Sequence, residues 1–143
     1  MTFTIDTHDV PPLADAALVD AGLGDANAIA APLHEVRSLG CFARDDSGAI
    51  IGGAVGRTWG ECCELQQLWV APAFRKQGIA TQLMRAFEGH AQLRGCHAFY
   101  LETFSFQAPA FYRKLGYAMV YVNDAFPHGI CKHLMRKDSE SPS

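Results

Sequence analysis

The stretch Leu65-Gln-Gln-Leu-Trp-Val-Ala-Pro-Ala-Phe-Arg-Lys-Gln-Gly-Ile-Ala-Thr-Gln-Leu-Met84 decides how the rest of the chain is read. A strand ends at Val70, a short loop with Pro72 follows, and an amphipathic helix starts near Gly78. Glycine at that junction removes the Cβ that would keep a ligand away from the backbone. The helix start offers unpaired N–H groups and the positive end of the dipole. Acidic residues are the usual neutralisers of such a turn, yet here Arg75 and Lys76 stand just before it and no acid lies within it. A bound anion, phosphate above all, is the simplest supplier of the missing charge. The bland alternative, two solvated surface cations, stays open on this pattern alone. Neither common nucleotide cradle is present: GxxxxGK[ST] fails because Ile79-Ala80-Thr81 follows Gly78, and GxGxxG is absent.

Upstream, Leu39 to Arg44 and Ala49 to Val55 flank the turn Asp45-Asp46-Ser47-Gly48, a hairpin signature, and a turn near Trp59-Gly60 leads into a third strand, Glu61 to Val70. Downstream, the helix Gly78 to Arg94 places Ile79, Leu83, Phe87 and Ala91 on one stripe, with Ala80 and Met84 beside it. Gln82, Arg85, Glu88 and Gln92 are expected to face away, and Gly95 to end the helix. His97 to Thr103 is a nearly apolar strand suited to the middle of a sheet. A short helix from about Gln107 to Leu115 has Pro109 in its first turn and Gly116 at its end, and Tyr117 to Val122 and Ile130 to Arg136 are closing strands. Before the hairpin, Phe3 to Asp6 reads as a short strand and Leu13 to Leu33 as two short helices broken at Gly22 and Gly24. The tail 138–143 is polar and expected to fray. The order β, α, α, β, β, β, α, β, α, β, β predicts a single mixed α/β domain over residues 1–143, built around one central sheet.

Arg75-Lys-Gln-Gly-Ile-Ala80 meets every fixed position of Q/R-x-x-G-x-G/A between a strand and a helix, and Ala110-Phe-Tyr-Arg-Lys-Leu-Gly-Tyr117 supplies a second motif at a fitting distance. In both, the chain resembles the GNAT superfamily of acyl-CoA-dependent N-acyltransferases, firmly from about Leu39 to Arg136 and weakly over the first 36 residues. The resemblance implies a mostly antiparallel central sheet of about six to seven strands, splayed near strand 4 and flanked by about four helices. It implies that the amides of Gln77, Gly78, Ile79, Ala80 and Thr81, with Arg75 and Lys76, hold the pyrophosphate of acetyl-CoA. The pantetheine arm would run along Leu68, Trp69 and Val70, with Phe111 and Tyr112 beside it. Many members carry Asn where this chain has Ser105, which keeps one hydrogen-bonding hydroxyl.

Acyl transfer to an amine needs a neutral nucleophile and a proton for the departing thiolate. Tyr112 suits the second task, because a phenol of pKa about 10 can deliver to a thiolate of pKa about 8.5. Glu64, fourteen residues before Gly78, aligns with the glutamate that some members use as base through water, and Glu61 and Glu102 compete with it. The expected reaction is transfer of an acetyl group from acetyl-CoA to a primary amine of a small molecule by direct attack in a ternary complex. A protein or peptide N-acetyltransferase and a non-catalytic acyl-CoA-binding module are the alternatives. Homodimers are common in the resembling class.

Composition bounds the partners. With 49% hydrophobic and 19% charged residues the chain is globular, and no apolar run is long enough for a membrane span or a secretory signal. A net charge of −3 disfavours nucleic acid. That charge is uneven: residues 1–36 hold six acids and no Lys or Arg, whereas the remaining 107 hold all 12 basic residues and nine acids. The basic part suits a polyphosphate and the acidic part a cationic amine. Cys41, Cys62, Cys63, Cys96 and Cys131 are odd in number and show no CxxC spacing, so neither a disulfide framework nor a metal site is expected, and a reducing cytoplasm fits best.

Overall fold

A computed structural model describes residues 1–139 and divides the chain into two compact units, Met1–Glu35 and Val36–Ser143. In the first, Leu13–Ala30 is one continuous helix, α1, instead of two. Each glycine inside a helix costs about 1 kcal/mol relative to alanine. The alanine-rich context of Gly22 and Gly24 offsets that cost and carries the helix through both. Phe3–Asp6 forms no strand, because a short alternating segment needs a ladder partner and all six strands of the sheet lie beyond Val36.

The second unit is a six-stranded sheet in the order β1-β2-β3-β4-β6-β5. Its strands are β1 (Arg37–Arg44), β2 (Ile50–Trp59), β3 (Cys62–Val70), β4 (Ala98–Phe104), β5 (Ala118–Asn123) and β6 (Lys132–Asp138). Every neighbouring pair is antiparallel except β3 and β4. The hairpin turn forms as the sequence predicts: the Asp45 carboxylate accepts the Ser47 hydroxyl at 2.6 Å and the N–H groups of Ala49 and Ser47, which holds its pKa below the usual carboxylate range. Asp138 belongs to β6, not to the expected frayed tail, and Ser139 donates its N–H to His97 at 2.7 Å. The rest of that tail lies outside the described residues.

Two further helices complete the fold, α2 (Ile79–Leu93) and α3 (Pro109–Lys114), so the helices number three among the described residues where about four were expected. Helix α2 connects the parallel strands β3 and β4 and buries Leu83, Met84, Phe87 and Ala91 against Phe99, Leu101, Cys63, Leu65 and Met135. Its sequence stripe is therefore the core stripe, with one correction. Glu88 was expected to face away, yet it is only 8% exposed, because the i, i+4, i+7 row Met84, Glu88, Ala91 lies on the buried side.

The sheet opens where the sequence places its chemistry. Strands β3 and β4 pair only from Cys62–Ala98 to Leu65–Leu101, although β3 continues to Val70 and β4 to Phe104. The separation begins at a bulge: Gly56 faces Leu65 and Val55 faces Gln67, so Gln66 has no partner on β2. Gly56 permits this kink, since a Cβ there would stand 2.0 Å from the Glu64 carbonyl oxygen. The splayed strand is the third of the structure and not the fourth, because the first expected strand does not form.

Candidate active site

Two clefts meet at the splay. The first, of about 630 Å³, is lined by the end of β3, the loop Phe74–Lys76, the start of α2 and the start of α3. The second, of about 490 Å³, is lined by Leu65 to Trp69 of β3, Leu101 to Thr103 of β4, Gln107 and Tyr112. Leu68, Trp69, Gln107 and Tyr112 belong to both linings and form the junction. The charged residues of the first lining are Arg75 and Lys76; that of the second is Glu102. The two clefts therefore differ in sign.

The local fold of the first cleft follows from the quoted stretch. Pro72 opens a single 3-10 turn, Pro72–Phe74, and Arg75 turns back to donate its Nε–H to the Val70 carbonyl at 2.9 Å. Lys76 and Gly78 take left-handed conformations, φ 64° and 80°, which swing the chain into the helix. No side chain caps that helix and no acid stands in its first turn. The first intrahelical bond comes from Gln82 N–H to the Gly78 carbonyl, so the preceding amides have no helical acceptors, and Gly78 to Thr81 line the cleft.

Of the thirteen residues expected at the cofactor, the first cleft gathers Leu68, Trp69, Val70, Arg75, Lys76, Gly78, Ile79, Ala80, Thr81, Phe111 and Tyr112. Gln77 and Ser105 are not in its lining. Ser105 is engaged elsewhere: its hydroxyl accepts the Cys131 N–H at 3.0 Å and its own N–H donates to the Cys131 carbonyl at 2.7 Å. The structure adds Gln107, whose Oε1 accepts the Phe104 N–H at 2.9 Å and so fixes the turn that leads into α3. A glutamine two residues before a short helix carries no motif that would have marked it.

Tyr112 is the buried residue of α3, 8% exposed, and burial pushes its phenol above the ordinary range. It therefore remains a proton donor through neutral pH. Glu64 lies outside both linings: its carboxylate accepts the Arg57 Nε–H at 2.7 Å, and Tyr100, also bonded to it, is raised by burial and by that carboxylate. Glu61 holds His97 at 2.9 Å, and Glu102, the one competitor at a cleft, pairs with Lys132 at 2.9 Å. None of the five cysteines lines either cleft, and burial pushes the Cys63 thiol up to about 12, far from a nucleophilic thiolate.

A mostly antiparallel sheet that opens beside an uncapped, acid-free helix start defines a GNAT-fold acetyltransferase. Residues 13–117 match the acetyltransferase (GNAT) family, and the chain belongs to that family. It is 32% identical over 111 residues to the blasticidin-S acetyltransferase of Streptomyces morookaense, covering 75% of this chain and 82% of that protein. Among solved structures, an acetyltransferase from Bacillus cereus superposes with a TM-score of 0.77 at 26% identity, over 93% of this chain and 97% of the other. An aminoglycoside 6'-N-acetyltransferase complexed with coenzyme A shares the fold, with a TM-score of 0.65 at 22% identity over 75% of this chain and 76% of the other.

Proposed function

We propose that this acetyltransferase moves the acetyl group of acetyl-CoA to a primary amine of a small, cationic molecule by direct attack. The observation that carries the reading is the meeting at Tyr112 of a cleft lined by Arg75 and Lys76 with one whose charged lining residue is Glu102. The cationic cleft, with its open helix amides, suits the pyrophosphate, and the neighbouring edge of β3 offers main-chain groups to the pantetheine arm. The relatives named above for blasticidin-S and aminoglycoside acetylation, one of them holding coenzyme A, support both halves of the assignment.

The amine enters by the second cleft, where Glu102 attracts its positive charge. Its ammonium proton leaves through water to Glu64, the carboxylate at the start of the splay. The free amine then attacks the thioester carbonyl, the C–S bond breaks, Tyr112 gives its phenolic proton to the thiolate, and the surplus proton of the new amide nitrogen passes through water to restore the phenol. Tyr112 is placed for this because it lines both clefts.

A thermal-shift assay with acetyl-CoA, followed by thiol release against a panel of polyamines, aminoglycosides, aminoacyl nucleosides and peptides, tests the reading. A raised melting temperature and acceptor-dependent thiol release are expected. No shift with any CoA species would remove it, and turnover confined to peptides would move the acceptor to the macromolecular class.

A further inference from the structure

Tyr112 sits on a helix of six residues, too short to hold its own place by hydrogen bonding. What holds it is found at the far end. The Tyr112 carbonyl accepts the N–H groups of both Leu115 and Tyr117 at 3.0 Å. The rings of Tyr112 and Tyr117 meet edge to face with centroids 6.0 Å apart. Tyr117, 3% exposed, donates its hydroxyl to Glu88 Oε2 at 3.2 Å, and Lys137 Nζ donates to the other oxygen, Oε1, at 2.6 Å. The Lys137 ammonium also lies 5.8 Å from the Tyr117 ring centroid. Four elements are thus joined: α2 through Glu88, β6 through Lys137, the exit of α3 through Tyr117, and α3 itself through Tyr112.

Stability alone does not call for this arrangement. A buried ion pair is often no better than well-packed apolar residues of the same volume, because desolvation offsets the attraction. Position 88 lies between Met84 and Ala91 on the core side of α2, where an apolar residue would serve packing directly. What a hydrogen-bonded charge supplies instead is direction: the Tyr117 ring is fixed by its hydroxyl, and one edge of the Tyr112 ring rests on it. Phe111 bounds the Tyr112 ring from another side, at 5.2 Å.

We propose that Glu88, Tyr117 and Lys137 form a positioning network that aims the Tyr112 hydroxyl at the junction of the two clefts. The proposal rests on the reading of Tyr112 as proton donor, and these three residues act through Tyr112 without touching substrate.

The test is a double-variant cycle of Tyr117→Phe and Tyr112→Phe, measured by acceptor-dependent thiol release and by direct coenzyme A binding. Tyr117→Phe keeps the ring and removes only its anchor; it is expected to lower kcat by about tenfold, with the coenzyme A Kd and both KM values within about twofold. In the Tyr112→Phe background the same change is expected to cost nothing further, since the hydroxyl it aims is gone. Glu88→Gln, which can still accept the Tyr117 hydroxyl, should retain more activity than Glu88→Leu. If Tyr117→Phe does not fold, Lys137→Met, at the partly exposed end of the network, enters the same cycle. Equal losses in both backgrounds, no loss in either, or a loss of coenzyme A binding in step with kcat would overturn the proposal. A Tyr112→Phe enzyme with undiminished kcat would instead overturn the proton-donor reading and take this inference with it.

Discussion

Arg57 donates its Nε–H to Glu64 at 2.7 Å, directly across the β2–β3 ladder, so the carboxylate is engaged before any substrate arrives. As the proposed base it would act through water from this position, and its removal would slow proton transfer without disturbing either cleft. Glu64→Gln is therefore expected to lower kcat by about tenfold while leaving the acetyl-CoA KM unchanged. Steady-state kinetics of the wild type and Glu64→Gln checks it; an unchanged kcat in Glu64→Gln would assign the base elsewhere.

Tyr112 gives a second, separable signature. Burial raises its phenol above the ordinary range, so the proposed donor remains protonated through neutral and mildly alkaline pH. Loss of the hydroxyl in Tyr112→Phe should cost about a hundredfold in kcat with the coenzyme A Kd unchanged. Any fall in wild-type kcat on the alkaline side is expected only above about pH 10, the direction set by a raised acid. A wild-type limb below that pH, absent from Tyr112→Phe, would contradict the raised phenol.

How far these roles were legible depends on what kind of contact makes them. The cationic loop is local: Arg75, Lys76 and Gly78 are adjacent in sequence, and their uncapped helix start can be read from the absence of an acid. The order of elements from Leu39 onward is also legible, and the break between β3 and β4 follows from the resemblance that the flanking motifs carry. Glu88 was misread because a helix stripe shows only the preference of apolar residues for the core; the buried carboxylate is compensated by Tyr117 and Lys137, 29 and 49 residues later. The engagement of Ser105 with Cys131, 26 residues later, escaped for the same reason, whereas Gln107 bonds locally to Phe104 and escaped because no motif marks it. The passage of α1 through Gly22 and Gly24 was a matter of balance between opposing propensities, which a pair of glycines alone does not decide.

Arg75 closes the loop by donating its Nε–H to the Val70 carbonyl, and under the proposed function the rest of its guanidinium serves the pyrophosphate. Arg75→Met removes both and should weaken coenzyme A binding by about tenfold. Arg75→Lys keeps the charge but loses the fork that can serve two acceptors, so an intermediate Kd is expected. Isothermal titration with coenzyme A and with pantetheine, which lacks the pyrophosphate and the nucleotide, separates the contributions: the variants should differ from wild type with the first ligand and not with the second.

Cys63 predicts an alkaline weakness of the fold. Burial raises its thiol from 9.0 to about 12. Below pH 9 both the folded and the unfolded chain hold this proton, and the stability is complete. As pH rises from 9 toward 12 the unfolded thiol ionises while the folded one does not, so stability falls. Cys63→Ala should melt lower at neutral pH, because it leaves a small cavity, but its melting temperature should decline less steeply between pH 9 and 11. Parallel declines in the two proteins would show that the thiol does not titrate in this way.

Glu102 provides the test of acceptor charge. It is the charged residue in the lining of the second cleft, and Lys132, 2.9 Å away, partly neutralises it until a competing cation arrives. An exposed carboxylate of this kind binds a cationic amine weakly and with strong screening by salt. The amine KM should therefore rise with ionic strength in the wild type, and Glu102→Gln should raise it by roughly three- to tenfold at low salt while leaving kcat nearly unchanged. Lys132→Met, which removes the resident competitor, should act in the opposite direction and lower that KM. An amine KM indifferent to salt in all three proteins would mean that charge does not select the acceptor, and a neutral amine would then be the substrate to seek.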